Sequence, residues 1–101
     1  MRNQIVIAGI VLKRDILRHT PAGVASLCLI IEHGSMQEIF ITNKAQAVPA
    51  KCEIEIMAFA ELAEALLQVE PGTQILVNGF LTRKHQKSRV NIIHANQFKI
   101  L

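Results

Sequence analysis

Between Lys51 and Gly72 the sequence changes its period, and that switch limits the folds open to the chain. "KCEIEIMAF", 51–59, alternates: Glu53 and Glu55 fall on one face, Cys52, Ile54 and Ile56 on the other. That is the pattern of a half-buried strand. "AELAEALLQV", 60–69, then sets Leu62, Leu66 and Val69 at helical spacing among good helix formers, which predicts a short helix. "EPG" at 70–72 stops it.

Strands surround this unit. "NQIVIAGIVLKRDILRH", 3–19, is rich in Ile and Val and reads as a long strand with a bulge or bend at Gly9. The turn signal "TPAG", 20–23, leads into a second strand, "VASLCLIIEH", 24–33. "GSMQEIFITNKAQAVP", 34–49, is polar and irregular at its ends, and reads as a long loop in which "IFIT" is a possible short strand. "TQILVNGFLTRK", 73–84, and "RVNIIHANQFKIL", 89–101, are the fourth and fifth strands, joined by the tip "HQKS". The order is β-β-β-α-β-β. Strand count alone would allow another small barrel. The helix between strands three and four favours an all-β OB-fold, a five-stranded Greek-key barrel, as one domain over 1–101.

Half of the 101 residues are hydrophobic, enough for a core, yet a domain of this size gains from burying surface against a second copy. No apolar run reaches the ~18 residues of a membrane span. The short apolar stretch near the N-terminus lacks the order of a signal peptide. Cys28 and Cys52 sit in apolar runs and read as buried thiols of a reduced compartment. A cytoplasmic protein is expected.

The net charge of +3 hides a segregation. Residues 1–31 hold Arg2, Lys13, Arg14 and Arg18 against Asp15; residues 32–70 hold two lysines against seven glutamates; residues 71–101 hold Arg83, Lys84, Lys87, Arg89 and Lys99 with no acid. Four of these cations fall within the seven positions from Arg83 to Arg89. Segregated charge makes a local field and suggests a polyanion partner, with one face that avoids it. In an OB-fold the loops between strands one and two and between strands four and five flank the ligand face. Here Lys13, Arg14 and Arg18 would meet Arg83 to Arg89 at that face.

Enzymatic readings fail on the residues present. No Cys or His pair has zinc spacing, and His33 and His94 read as polar groups at strand ends. There is no G-x-S-x-G, phosphate loop or dinucleotide fingerprint. Glu53/Glu55 and Glu61/Glu64 read as solvated surface. No cofactor, metal, catalytic residue or small-molecule substrate is expected.

Lys and Arg neutralise phosphates and release counterions, which gives salt-sensitive affinity. Non-specific single-strand binders usually add aromatic platforms. Here Phe59, Phe80 and Phe98 read as core, and Phe40 is the only aromatic in a predicted loop. The expectation is an electrostatic nucleic-acid binder using Lys13, Arg18, Arg83, Lys84, Lys87 and Arg89, with Phe40 the one stacking candidate. The rivals are an adaptor whose basic tip docks an acidic protein, with little or no DNA binding, and an RNA-binding OB module.

"NQIVIAGIV", "TPAGV", "IIEHGSMQE", "VEPGTQILVNGFLTRK" and "IIHANQFKIL" resemble the primosomal replication protein N (PriB) family, small OB-fold homodimers related to bacterial single-stranded DNA-binding protein. The resemblance covers about residues 2–38 and 70–101. It implies replication restart: binding single-stranded DNA, joining the restart helicase PriA at a stalled fork, and recruiting DnaT. It implies DNA contacts at Lys84, Lys87, Arg89 and Arg18, with Arg83 and His85 as neighbours of variable identity. Residues 39–57 depart from the family pattern: Lys51 stands where a stacking Trp is expected, and Phe40 stands in for a stacking Phe.

Overall fold

A computed structural model describes residues 1–101. The elements are β1 (Ile5–Arg14), β2 (Arg18–His19), β3 (Ala25–Ile41), β4 (Lys44–Phe59), α1 (Ala60–Leu67), β5 (Gln74–Arg83) and β6 (Asn91–Ile100). The sheet order is β1-β5-β6-β4-β3-β2, and a further β1–β3 pairing closes it into a barrel. β4 and β6 run parallel at Ile56↔Ile93 and Met57↔His94; the other pairings are antiparallel. With β1 and β2 as one interrupted strand, this is the five-stranded OB-fold that the period switch predicts, its helix between the third and fourth strands.

Alternation puts every second residue inside. Leu27, Leu29 and Ile31 of β3 meet Ile56 and Ala58 of β4, Ile75 and Val77 of β5, and Ile93 and Ala95 of β6. α1 seals the barrel with Ala63 and Leu66, helped by Val69 just beyond it. The helix is shorter than the predicted 60–69, ending at Leu67. Arg14 crosses to this end and donates through one guanidinium nitrogen to the carbonyls of both Leu67 and Val69. Late helical carbonyls lack intrahelical partners, and a cation there both bonds them and offsets the helix dipole.

β1 pairs with β5 through Ile5–Ile10 and with β3 through Ile10–Arg14. Gly9 lies at the change of partner, where a Cβ would stand 2.7 Å from the Glu32 carbonyl oxygen. The irregularity expected at Gly9 falls instead between Val11 and Lys13, so Gly9 serves close approach and Leu12 the bulge. A second shift lies between Asn78 and Gly79, which leaves Asn96 of β6 without an opposite residue. There a Cβ on Gly79 would stand 2.1 Å from the His94 carbonyl oxygen.

The largest departure from the sequence reading is 34–49. It is not a loop. β3 and β4 pair without a break from Ser26↔Phe59 to Ile41↔Lys44, forming a two-stranded arm beyond the barrel. Thr42 and Asn43 make the turn, both in the left-handed region with φ of 50° and 65°. Two left-handed residues suit the right-handed twist of a hairpin, and Asn tolerates them; a β-branched Thr does so poorly and is a weak signal. Both faces of the arm meet solvent, so its hydropathy has no reason to alternate. His33 and His94, expected at strand ends, lie within β3 and β6.

Two stability measurements follow from these contacts. Gly79→Ala drives a methyl into backbone and should cost about 2–3 kcal/mol, a melting point lower by roughly 10–20 °C in a domain of this size. Arg14→Ala leaves the helix carbonyls to water and should cost about 1–2 kcal/mol in denaturant unfolding. An Arg14→Ala protein as stable as the parent would remove the capping role.

Candidate nucleic-acid interface

Outward-facing side chains of the barrel strands line up in cross-strand rows. One row runs Cys28, Met57, His94, Phe80 across β3, β4, β6 and β5. The His94 ring stacks on Phe80 with centroids 4.7 Å apart at 17°, and meets Phe59 at 5.3 Å and 40°. The adjoining row begins Ile30, Glu55. Beyond it Lys84, the first residue after β5, reaches back so that its Nζ lies 3.0 Å from Glu55 Oε1.

This corner collects the two basic segments. The backbone N–H of Asp15 donates to the Cys28 carbonyl at 2.8 Å, which holds the β1–β2 connection over the same face. Lys13, Arg14 and Asp15 line a shallow depression with Cys28, Leu29 and Ile30. Burial pushes the Cys28 thiol up, and the Glu55 carboxylate beside it adds to the rise; Lys84 and Asp15 are also close enough to act on it. The hydrogen bond from the Lys84 ammonium to Glu55, reinforced by their opposite charges, holds Lys84 above the usual lysine value.

Arg18 sits on β2 with Nη2 3.6 Å from Asp15 Oδ2, an exposed pair. Arg83 donates to the Gln86 carbonyl at 3.1 Å and stiffens the tip. The tip is further held by backbone bonds from Lys84 to Val90 and from Ser88 to His85. Lys13, Lys87 and Arg89 are exposed and have no ion-pair partner. Arg14, counted with the basic face from sequence, is committed to the helix end, with Glu70 4.0 Å away.

Phe40 is not brought to this cluster. It lies near the tip of the arm, 72 % exposed, beside exposed Met36, Ile39 and Ile41. Ten residues of extended strand separate it from Ile30, roughly 30 Å at ~3.3 Å per residue. Nor do the acids keep to a separate face. Glu32 and Glu53 stand directly opposite one another on the outward side of β3 and β4, between the basic corner and the arm tip, and Glu55 shares that side.

The aromatic cluster of Phe59, Phe80 and His94 escaped the sequence reading, which placed the phenylalanines in the core. All three are half-buried and face outward. The signal was present: Phe59 shares the parity of Glu53 and Glu55 in an alternating strand, and so belongs on their face.

Residues 3–97 match the profile of a family described as "another single-strand binding protein family". The chain is 29% identical to the replication restart protein PriB of Nitrosomonas europaea, over 99% of this chain and 89% of that protein. It is 26% identical to the PriB of Photorhabdus laumondii, over 98% and 93%. Among solved structures it is similar to the PriB of Ralstonia solanacearum, with a TM-score of 0.85 at 23% identity over the full length of both. It is also similar to the single-stranded DNA binding protein of Thermus aquaticus, with a TM-score of 0.73 at 23% identity, over 99% of this chain and 50% of that one. Such a family is defined by binding rather than catalysis, in keeping with a sequence that carries no catalytic motif. The chain belongs to this family of single-strand binding proteins, and its PriB-like character extends over its whole length.

Proposed function

We propose that the chain binds single-stranded DNA during replication restart, with phosphates held at the corner where the β1–β2 connection meets the β5–β6 tip. The observation that carries this is that Lys13, Arg18 and Lys84 gather beside the outward row of Cys28, Met57, His94 and Phe80, with Lys87 and Arg89 exposed on the tip that follows Lys84. The cations supply counterion release. The half-buried aromatic row beside them offers apolar and ring surface to bases. Lys13, Lys87 and Arg89 carry the largest share of the electrostatic term, because no ion pair within the protein engages them.

The restart helicase PriA and DnaT are the proposed protein partners, and the bacterial cytoplasm the proposed compartment, both drawn from the likeness to PriB. An adaptor that docks an acidic protein and binds little DNA is the second reading. It is favoured by Glu32 and Glu53, which set two like charges across the route from the basic corner to Phe40.

The chain is further proposed to pair with a second copy. Val6, Ile10 and Leu12 are exposed on the outward side of β1. Ala8 and Leu76 lie opposite one another in the same stripe. Over Ile5–Gly9, β1 has a strand partner on one edge only. An apolar stripe beside an open edge suits a self-complementary contact.

Fluorescence anisotropy of a labelled ~30-mer titrated at several salt concentrations tests the DNA reading. Binding should weaken steeply with salt, and Lys87→Ala and Arg89→Ala should each flatten the log–log slope by about 0.7. Arg14→Ala should leave the slope unchanged. No binding at low salt would leave the adaptor reading, with the helicase as the next ligand to titrate. Light scattering at micromolar concentration should give twice the monomer mass, falling to the monomer for the double variant Val6→Glu, Ile10→Glu; a monomeric parent protein would end the dimer proposal.

A further inference from the structure

We infer that Glu55 is an internal stand-in for a DNA phosphate, so that Lys84 joins single-strand binding by exchanging one anion for another. The inference rests on the DNA-binding reading above and assigns a negative role within that site.

The Glu55 side chain is 21% exposed and that of Lys84 42%. The carboxylate stands on β4, facing outward beside Ile30, with the Cys28 thiol nearby. Lys84 comes from the far side of the barrel face, at the start of the β5–β6 tip, and its ammonium lies 3.0 Å from Glu55 Oε1. This is the distance and charge at which a phosphate oxygen would accept from the same ammonium. The neighbouring cations differ. Lys87 and Arg89 have no acid in reach, and the tip is held by its own backbone bonds.

Half-exposed ion pairs are weak, so a phosphate can displace the carboxylate. The consequence lies in the ion count. A free lysine that neutralises a phosphate releases about 0.7 of a counterion from single-stranded DNA. When Lys84 leaves Glu55 to do so, the freed carboxylate draws a cation back. The net release from that contact falls towards zero. Lys84, prominent among the sequence-derived contacts, then adds little affinity in the parent protein. It holds the tip against the sheet while the site is empty, and gives it up without large cost.

Four proteins separate this from simple repulsion: the parent, Glu55→Gln, Lys84→Ala and the double variant, titrated with the ~30-mer across salt concentrations. Glu53→Gln serves as a control, a carboxylate on the same face with no lysine bridge. Glu55→Gln should bind roughly two- to five-fold tighter at low salt, the range set by the weak pair it releases. Its log–log slope should steepen by about 0.7. Lys84→Ala alone should change affinity less than about two-fold, yet should remove the gain in the Glu55→Gln background. A gain that survives in the double variant, or a slope change equal to that of Glu53→Gln, would mean general repulsion and overturn the inference. A parent protein that binds while Glu55→Gln is indistinguishable from it would overturn the inference alone. A parent protein that binds no DNA would overturn the function and the inference together. NMR titration of the Lys84 side chain reads the bridge without DNA: Lys84 should titrate above ordinary lysine in the parent and return to the ordinary value in Glu55→Gln. An ordinary lysine in the parent would dismiss the bridge itself.

Discussion

β1 serves two neighbours, and the rest of the structure depends on that. Its first half belongs to β5 and its second half to β3, and the switch at Gly9 and Ile10 closes the barrel. Closure needs a strand that can pass from one partner to the other, and a close crossing needs a residue without a side chain. Gly9 meets that need under the Glu32 carbonyl. The bulge at Leu12 then re-aims the end of β1. Arg14 is turned to the last carbonyls of α1, and Asp15 to the backbone of Cys28. One bend thus ties the helix plug to the barrel and fixes the first basic segment over the outward face.

That face carries charge of both signs at close range. At physiological salt an exposed charge is screened beyond about 8 Å, so what a phosphate meets depends on the nearest few groups and not on the net charge of the chain. Around Lys87 and Arg89 these are cations. Around Lys84 there is a compensated pair, and around Glu32 and Glu53 two acids with the single cation Lys51 beside them. A polyanion can settle at the corner but gains nothing by following the sheet towards the arm. The segregation along the sequence is real, yet folding brings three of the seven acids of its middle third, Glu32, Glu53 and Glu55, onto the same side as the basic ends.

How much of this the sequence could tell depends on what each residue is packed against. Residues 54–59 bury one face only, so their alternation shows directly, although Cys52, read from the same alternation as a buried thiol, is exposed; α1 buries a single stripe, so its spacing shows too. Together they placed the helix between the third and fourth strands and hence the fold. The arm was illegible for the opposite reason: Met36, Glu38 and Phe40 on one side and Gln37, Ile39 and Ile41 on the other all face solvent, so no burial imposes a pattern on them. The basic tip was legible because charge density needs no fold to be seen. Its restraint by Glu55 was not, because that contact joins β4 to the residue after β5 and depends on the register of three strands. The aromatic cluster was legible in part, since strand parity already sets Phe59 on the face of Glu55.

The arm makes the molecule long, 53 Å on its largest axis, and puts its most exposed aromatic far from its densest positive charge. A ligand that touches both must cross Glu32 and Glu53, whose repulsion any phosphate in between would feel. The two features therefore act more simply as separate contacts than as one track. The basic corner suits the sugar–phosphate backbone. The arm, with Met36, Phe40 and Ile41 bare and both strand edges open along much of its length, presents apolar side chains on a template of unpaired backbone groups. Occupying one of these surfaces does not require clearing the other, because the stretch of sheet that bears Glu32 and Glu53 lies between them.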